Sequence, residues 1–102
     1  MKVYLIECTL YGEITYKIGK TSRSTIERLL ELSTGNAGDL RVVCEYDSKY
    51  GSLIEIALHN QYSHRRLSGE WFNDITPSEF LNSCQIIDDN IKKLKNSGNP
   101  FI

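Results

Sequence analysis

Two strand-like stretches near the start of the chain, separated by a tight turn, constrain its fold more than any other feature. Residues 3–8 and 15–19 are rich in β-branched and aromatic side chains, which favour extended backbone. Between them, Tyr11-Gly12-Glu13 supplies a turn. Two short strands around a glycine-containing turn are typical of a β-hairpin. We therefore expect an antiparallel strand pair at the start of the fold.

The middle of the chain is predicted to form a helix, a strand and a second helix. Ser24 and Glu27 have the spacing of a helix-capping box, and Gly35 stands where a helix C-terminal glycine is expected. Residues 40–46 place apolar side chains at every second position, which is the period of a strand. The second helix is expected over about residues 52–66. Four polar residues share one stripe of that helix: Glu55, His59, Tyr62 and Arg66.

The C-terminal part of the chain contains a strong helix signal. Thr76-Pro77-Ser78-Glu79 combines an N-cap threonine, a proline in the first turn and a glutamate two residues later. Apolar residues then recur along one face: Phe80, Cys84, Ile87, Ile91 and Leu94. A short extended piece is expected at residues 70–72, before this helix. The order indicates an α+β fold, with a small three-stranded antiparallel sheet flanked by helices and a last helix over about residues 77–96.

Length and composition indicate one ordinary globular domain. The chain has 102 residues, of which 40% are hydrophobic and 25% are charged. No apolar run approaches the roughly 20 residues of a membrane-spanning helix, and the N-terminal apolar stretch is too short for a signal peptide. Cys8, Cys44 and Cys84 lack the spacing of a disulfide framework or a zinc site. We expect a soluble, cytoplasmic domain over residues 1–102, with free thiols and no membrane partner.

The basic charge of the chain is concentrated near its N-terminus. The net charge of −1 is not the overall signature of a nucleic-acid-binding protein, which usually has excess basic charge. Residues 17–28 nevertheless hold four basic side chains and one carboxylate: Lys17, Lys20, Arg23, Arg28 and Glu27. Residues 67–102 are net acidic. An anionic partner is therefore expected to bind the N-terminal half.

Four polar residues stand in predicted elements where packing alone does not require them: Tyr4, Lys17, Arg28 and Glu55. Each one singly is accounted for by packing or by surface exposure. In this order and spacing, they resemble the compact phage-type branch of the GIY-YIG nuclease superfamily, in which the second half-motif reads KIG. The resemblance covers about residues 2–74. The matching segments are Val3-Tyr4-Leu5-Ile6, Tyr16-Lys17-Ile18-Gly19, Gly19-Lys20-Thr21, Arg28, Thr34-Gly35-Asn36, Glu55 with Leu58-His59, and Gly69-Glu70-Trp71-Phe72.

The resemblance implies a divalent-metal-dependent endonuclease that hydrolyses DNA phosphodiester bonds. Glu55 is the matching family carboxylate and would bind Mg²⁺ or Mn²⁺, which take hard oxygen ligands. Arg28 has the planar fork that suits phosphate oxygens. Tyr4 would take the proton of the attacking water, and the Lys17 ammonium beside it would favour the phenolate. His59, one helical turn after Glu55, is either a proton donor or a capping or core histidine.

Three further basic residues are expected to contact DNA. Lys20 follows the second half-motif, and Arg65 and Arg66 stand at the predicted end of the second helix. For the two arginines, a solvated helix end is the alternative. No appended DNA-binding domain is recognised in the sequence, so we expect strong sequence specificity to need a homodimer or an accessory DNA-binding partner.

The chain departs from the family pattern at several positions. Lys2-Val3-Tyr4 stands where Gly-Ile-Tyr is usual, and Lys17 replaces the tyrosine of the second half-motif. Two other functions therefore stay open: a catalytically degraded module of the same fold that binds DNA, and a small protein-interaction domain. If Glu55 is not the metal ligand, Glu70 is the next candidate carboxylate.

Overall fold

The computed structural model describes residues 1–98, and its elements confirm the predicted α+β class. Strands and helices follow in the order β1 (Lys2–Leu10), β2 (Glu13–Thr21), α1 (Thr25–Ser33), β3 (Asp39–Asp47), α2 (Gly51–Gln61), β4 (Arg66–Ser68), β5 (Trp71–Phe72) and α3 (Pro77–Asn96). A 3₁₀ turn over Ser63–Arg65 separates α2 from β4. Residues 99–102 of the predicted domain lie outside the described part.

The sheet has five strands in the order β3-β1-β2-β5-β4, rather than the predicted three. The central strand β1 pairs antiparallel with β2 on one side and with β3 on the other. The two additional strands continue the sheet beyond β2, and they hold three and two residues. Gly69, with a φ of 54°, turns the chain between them. Strands this short show no period-2 pattern, which is why the sequence indicates only an extended piece here.

The second helix is shorter than predicted. It ends at Gln61 instead of about residue 66, and the chain continues into the 3₁₀ turn and β4. Arg66 therefore does not share a helical stripe with Glu55 and His59; it lies in β4, opposite Phe72 of β5. The backbone of this segment pairs with β5, which in turn pairs with β2. The β2–β5 contact is long-range, and helical spacing in the sequence does not reveal it.

The β1–β2 hairpin is confirmed and is longer than predicted. Its ladder continues as far as the pair formed by Leu10 and Glu13. Tyr11 and Gly12 form the two-residue turn with φ values of 52° and 78°, and type I′ hairpin turns require positive φ at both positions. The regular pairing fixes which side chains share a face along both strands.

One face of the sheet forms the buried core with α2 and α3. Val3 and Ile18 of the sheet pack against a cluster of buried apolar residues from both helices. The predicted apolar face of α3 contributes Phe80 and Cys84 to this core, whereas Leu94 near the helix end is 44% exposed. Within residues 1–98, no helix has both the length and the apolar composition needed to cross a membrane.

The first helix lies over the opposite face of the sheet. Its N-terminal residue Thr25 donates a hydrogen bond from its hydroxyl to the Glu45 carboxylate on β3. Ser24 caps the helix, as predicted, by accepting hydrogen bonds from the backbone N–H groups of Ile26 and Glu27. Tyr4 and Lys17 of the predicted site lie on this second face, whereas Glu55 and His59 belong to α2, which packs against the core face.

The three cysteines are free thiols, as predicted. Burial raises the pKa of Cys44 to about 11. Burial also raises the pKa of Cys84, to about 12. Both side chains are therefore protonated at neutral pH and act as packing groups rather than as nucleophiles.

Candidate active site

The aromatic ring of Tyr4 lies across Gly19. The β1–β2 register places these residues opposite each other, so that side chains at the two positions point to the same face. A Cβ atom on residue 19 would overlap the Tyr4 hydroxyl and the adjoining ring carbons. Glycine at position 19 therefore provides the space for Tyr4, which is only 1% exposed. This close approach is a physical reason for a tyrosine in the first half-motif and a glycine in the second.

Lys17 points to the same face of the hairpin as Tyr4, as strand alternation predicts. Lys17 is paired with Ile6, which is two residues after Tyr4 on β1. Trp71 of β5 is paired with Lys17 on its other side and so contributes to this face as well. The Lys17 ammonium lies 5.6 Å from the centroid of the Trp71 ring, and the residue is 7% exposed.

Arg28 of α1 reaches the Tyr4 hydroxyl from above the sheet. Its Nε donates a hydrogen bond to the Tyr4 oxygen at 3.4 Å, and another guanidinium nitrogen donates to Glu31 at 3.1 Å. Burial raises the pKa of Tyr4 above its ordinary value, and the hydrogen bond and charge of Arg28 offset only part of that rise. Tyr4 is therefore a neutral phenol at neutral pH, held by an arginine whose side chain is 36% exposed.

The Lys17 ammonium, expected to favour the Tyr4 phenolate, forms an ion pair on the same face of the sheet. Lys17 donates a hydrogen bond to the carboxylate of Glu70, in the turn between β4 and β5. The cation that acts on the phenol is instead Arg28. Lys17 thus neutralises a carboxylate, and a buried ammonium without such a partner would be strongly destabilising.

Glu55 and His59 lie one turn apart on α2, close to the Glu70 carboxylate that pairs with Lys17. One ligand atom from each of the three residues lies within 4.8 Å of the others. Burial raises the pKa of Glu55, and the negative charge of Glu70 raises it further. The raised pKa of Glu55 is the expected result for a partly buried carboxylate near a second one.

His59 is held by hydrogen bonds at both ring nitrogens. Nε2 lies 2.9 Å from the carbonyl oxygen of Ile18, and Nδ1 lies 3.1 Å from the guanidinium of Arg66. Because arginine only donates, Nδ1 accepts from Arg66, and Nε2 carries the proton that is donated to Ile18. The ring also packs edge-on against Phe72, with 5.1 Å between centroids. These contacts anchor α2 to the sheet and fix the orientation of the imidazole beside Glu55.

Glu55 and Glu70 fit a hard divalent cation. Mg²⁺ is commonly bound by one or two protein carboxylates together with water or phosphate oxygens, and Mn²⁺ accepts the same ligands. The mutual repulsion that raises the pKa of Glu55 would be relieved by a cation between the two carboxylates. His59 contributes less readily, because both of its nitrogens already have hydrogen-bond partners. The carboxylate pair is therefore the suitable ligand set.

The three basic residues predicted to bind DNA lie in different surroundings. Lys20 is exposed at the end of β2, beside Arg28. Arg66 is beside His59, as described above. Arg65 donates to the carbonyl of Asp74 and to the carboxylate of Glu79. The structure thus brings Lys20 and Arg66 to the candidate site, whereas Arg65 joins the 3₁₀ turn to the start of α3.

Two features of the site are not evident from the sequence. The first is the pairing of Lys17 with Glu70, for which the Gly69-Glu70-Trp71-Phe72 segment was the available signal. The second is Arg23, which pairs with Glu31 and thereby stands next to Arg28. In the sequence, Arg23 is marked only by its place in the basic stretch of residues 17–28. Its charge alone does not distinguish a site residue from a surface residue.

Comparison with protein families shows which family the chain belongs to. The T5orf172 domain family matches residues 1–92. The chain belongs to this family. The T5orf172 domain is phage-associated and is found in nuclease-like proteins, which agrees with a function on DNA. No curated protein and no solved structure matches the chain.

Proposed function

We propose that this T5orf172 domain is a GIY-YIG-type endonuclease that hydrolyses DNA phosphodiester bonds and depends on Mg²⁺ or Mn²⁺. The observation that carries the proposal is the convergence of a tyrosine, an arginine and two carboxylates at one end of the sheet: Tyr4, Arg28, Glu55 and Glu70. These groups supply the parts that phosphodiester hydrolysis needs, namely a polar group for water, a cation for phosphate and ligands for a metal. Membership in a family found in nuclease-like proteins supports the proposal.

Glu55 and Glu70 are the residues that would hold the metal. When bound, a divalent cation neutralises charge on the phosphate and makes a water more acidic. Lys17 neutralises Glu70 in the present arrangement, and its buried ammonium is held between that carboxylate and the Trp71 ring. Lys17 therefore keeps the carboxylate pair from being a doubly negative, partly buried cluster.

Arg28 and Tyr4 act on the phosphate and on the attacking water. The partly exposed guanidinium of Arg28 is fixed by Tyr4 and Glu31 and can still present donors to phosphate oxygens. The Tyr4 oxygen accepts the hydrogen bond from Arg28, which leaves the phenolic proton free to orient a water or phosphate oxygen. Removal of a proton from the attacking water by Tyr4 requires the phenolate, so this role becomes stronger as the pH rises.

The second candidate function is DNA binding without cleavage. It is favoured by one observation, the Lys17–Glu70 ion pair, because the ammonium engages a carboxylate that the metal would use. In this alternative, DNA remains the partner, and Lys20 and Arg66 contribute phosphate contacts. A homodimer or an accessory partner would supply additional contacts in either case.

Cleavage of supercoiled plasmid DNA tests the proposal. We expect nicked or linear products with Mg²⁺ or Mn²⁺, none with EDTA, and none from Glu55→Gln with either metal. Glu27→Gln, which alters an exposed carboxylate on α1, is the matched control and should cleave like the unmodified chain. A folded chain that binds DNA but cleaves with neither metal would establish the second candidate instead. If no salt-dependent DNA binding is seen at all, the protein-interaction function remains.

A further inference from the structure

A small open groove lies beside the candidate active site. Its volume is about 260 Å³, and it is lined by Met1, Lys20, Thr21, Ser22, Arg23 and Arg28. Pockets that enclose whole small molecules usually measure about 300–1,000 Å³. A smaller, open groove lined by three basic residues suits one anionic group of a longer ligand.

The groove is continuous with the active site. Arg28 lines the groove, and its Nε also donates to the Tyr4 hydroxyl. Lys20 lines it on the β2 side, directly after Gly19, over which the Tyr4 ring lies. A ligand reacting at Tyr4 and Glu55 would therefore pass next to the groove.

The groove carries a positive charge beyond what its nearby carboxylate neutralises. Arg23 and Arg28 share the single carboxylate of Glu31. One of the two guanidinium charges is thus uncompensated, and Lys20 adds another. An anionic group in the groove would meet this charge at short range, where it is least screened by salt.

The turn that forms the groove is fixed by a local hydrogen bond. The backbone N–H of Arg23 donates to the Thr21 hydroxyl oxygen at 3.1 Å. Ser24 immediately afterwards caps α1. The backbone that carries Lys20 and Arg23 is therefore held between a strand end and a capped helix, which reduces the ordering cost of binding.

We infer that this groove binds a phosphodiester group next to the one that is hydrolysed, with Lys20 and Arg23 as the residues that bind it. The inference rests on the proposed function, because it takes the scissile phosphate to lie at Arg28 and Tyr4. DNA carries its phosphates at regular covalent intervals, so a phosphate at the active site places the next one alongside. The groove then sets the position of the strand, while Arg28 acts on the reacting group.

DNA binding in EDTA tests the groove without requiring cleavage. Lys20→Gln and Arg23→Gln, singly and together, are titrated against a covalently closed DNA circle over a range of salt concentrations. The double variant should bind more weakly, and the slope of log affinity against log salt should fall by about 0.9, the value for one lost phosphate contact on duplex DNA. The charge-matched control is Lys93→Gln with Lys95→Gln, two exposed residues of α3, which should leave the slope unchanged.

Two results would overturn the inference. One is a double groove variant whose affinity and slope equal those of the α3 control. The other is an effect seen only on DNA with 5′-phosphate ends and absent on the closed circle, because the groove would then bind a terminal phosphate. If the circle is bound through the groove but never cleaved, the endonuclease proposal fails, and the groove remains a binding site for a DNA phosphate without a neighbouring scissile one. If it is cleaved and the groove variants match the control, the groove inference alone fails.

Discussion

The phenol of Tyr4 occupies the space over Gly19 that a side chain at position 19 would need. Gly19→Ala should therefore displace Tyr4 and weaken its hydrogen bond with Arg28. We expect a loss of about 1–3 kcal/mol in the free energy of unfolding, as for other overpacked positions. Because a displacement of about 1 Å in a catalytic group can cost about 10²-fold, plasmid cleavage should fall by about that factor.

Gly38→Ala is the matched control for this crowding. A Cβ at residue 38 would overlap the Cys8 sulfur, and Gly38 lies outside the candidate site. Denaturant titration and cleavage rates of both variants separate the two effects. Gly38→Ala should lose stability and keep its rate; equal rates for the two variants would show that the position of Tyr4 does not matter for catalysis.

Arg28→Lys should cleave poorly although it keeps the positive charge. An ammonium cannot present the guanidinium fork to two phosphate oxygens, nor donate at once to Tyr4 and Glu31. The loss expected for one donor to a transition-state oxyanion is about 10²–10³ in kcat. The control is Arg41→Lys. Arg41 on β3 forms an exposed ion pair with Glu7 on β1. A turnover near the unmodified value in Arg28→Lys would remove the bidentate contact from the mechanism.

Tyr4→Phe removes only a hydroxyl and should leave the fold intact while cleavage collapses. The pKa of Tyr4 is raised by burial, so the phenolate fraction is small at neutral pH and grows as the pH increases. If Tyr4 is the base, the rate of the unmodified chain should rise steadily from about pH 6 to pH 9, without a plateau from this group. Initial rates of nicking measure both effects. A variant that keeps the same rate and the same rise would show that Tyr4 is not the base.

Lys17→Met should strengthen Mn²⁺ binding. The Lys17 ammonium pairs with Glu70, and its removal leaves two neighbouring carboxylates without that internal cation. Repulsion between them then favours a divalent ion more strongly than in the unmodified chain. Isothermal titration with Mn²⁺ measures the change, with the exposed residue Lys49 replaced by Met as control. Weaker binding by Lys17→Met would mean that Lys17 supports the metal ligands rather than competing with the ion.

Asp88 on α3 should make stability depend on pH in the acid range. Burial raises its pKa, but hydrogen bonds from Tyr46, Ser48 and Lys92 together outweigh burial and hold the pKa below its ordinary value. The stabilising contribution is therefore present above the unfolded pKa of about 3.9 and is lost as the pH falls through the lower folded value.

Replacing that carboxylate tests the origin of the acid dependence. Asp88→Asn should cost about 1–3 kcal/mol at neutral pH, because at least one hydroxyl loses a charged acceptor. It should also flatten the decline in stability on acidification. Urea titrations at several pH values measure both changes. The exposed neighbour Asp89→Asn is the control, and an equally steep acid decline in Asp88→Asn would place its origin elsewhere.

The elements that the sequence predicted correctly are those with local signals. The hairpin depends on one turn, α1 on the Ser24 cap and α3 on the capping box at Thr76, and all three are confirmed. The shared face of Tyr4 and Lys17 follows from strand alternation together with the register of the hairpin. The end of α2 and the strand β4 were missed, whereas β5 lies within the extended piece expected at residues 70–72. What places β5 in the sheet is its pairing with β2, which is distant in sequence.

The partners of individual charges could not be predicted from the sequence. Lys17 and Glu70 are 53 residues apart, and neither carries a local signal for the other. Arg65 resembles a DNA contact by its type and neighbours, yet the structure engages it with Glu79 at the start of α3. Whether a charge is available to a ligand depends on which residues lie near it in three dimensions. Spacing along the chain does not reveal those neighbours.

The distance in sequence between Lys17 and Glu70 also has a consequence for the growing polypeptide. β1, β2 and α1 are synthesised first, but the carboxylate beside Lys17 arrives only with the turn before β5. A partly translated chain thus has the tyrosine and the arginine without the complete set of acidic ligands. Because small domains fold as cooperative units, the site of the proposed DNA cleavage is assembled only after most of the domain has been made.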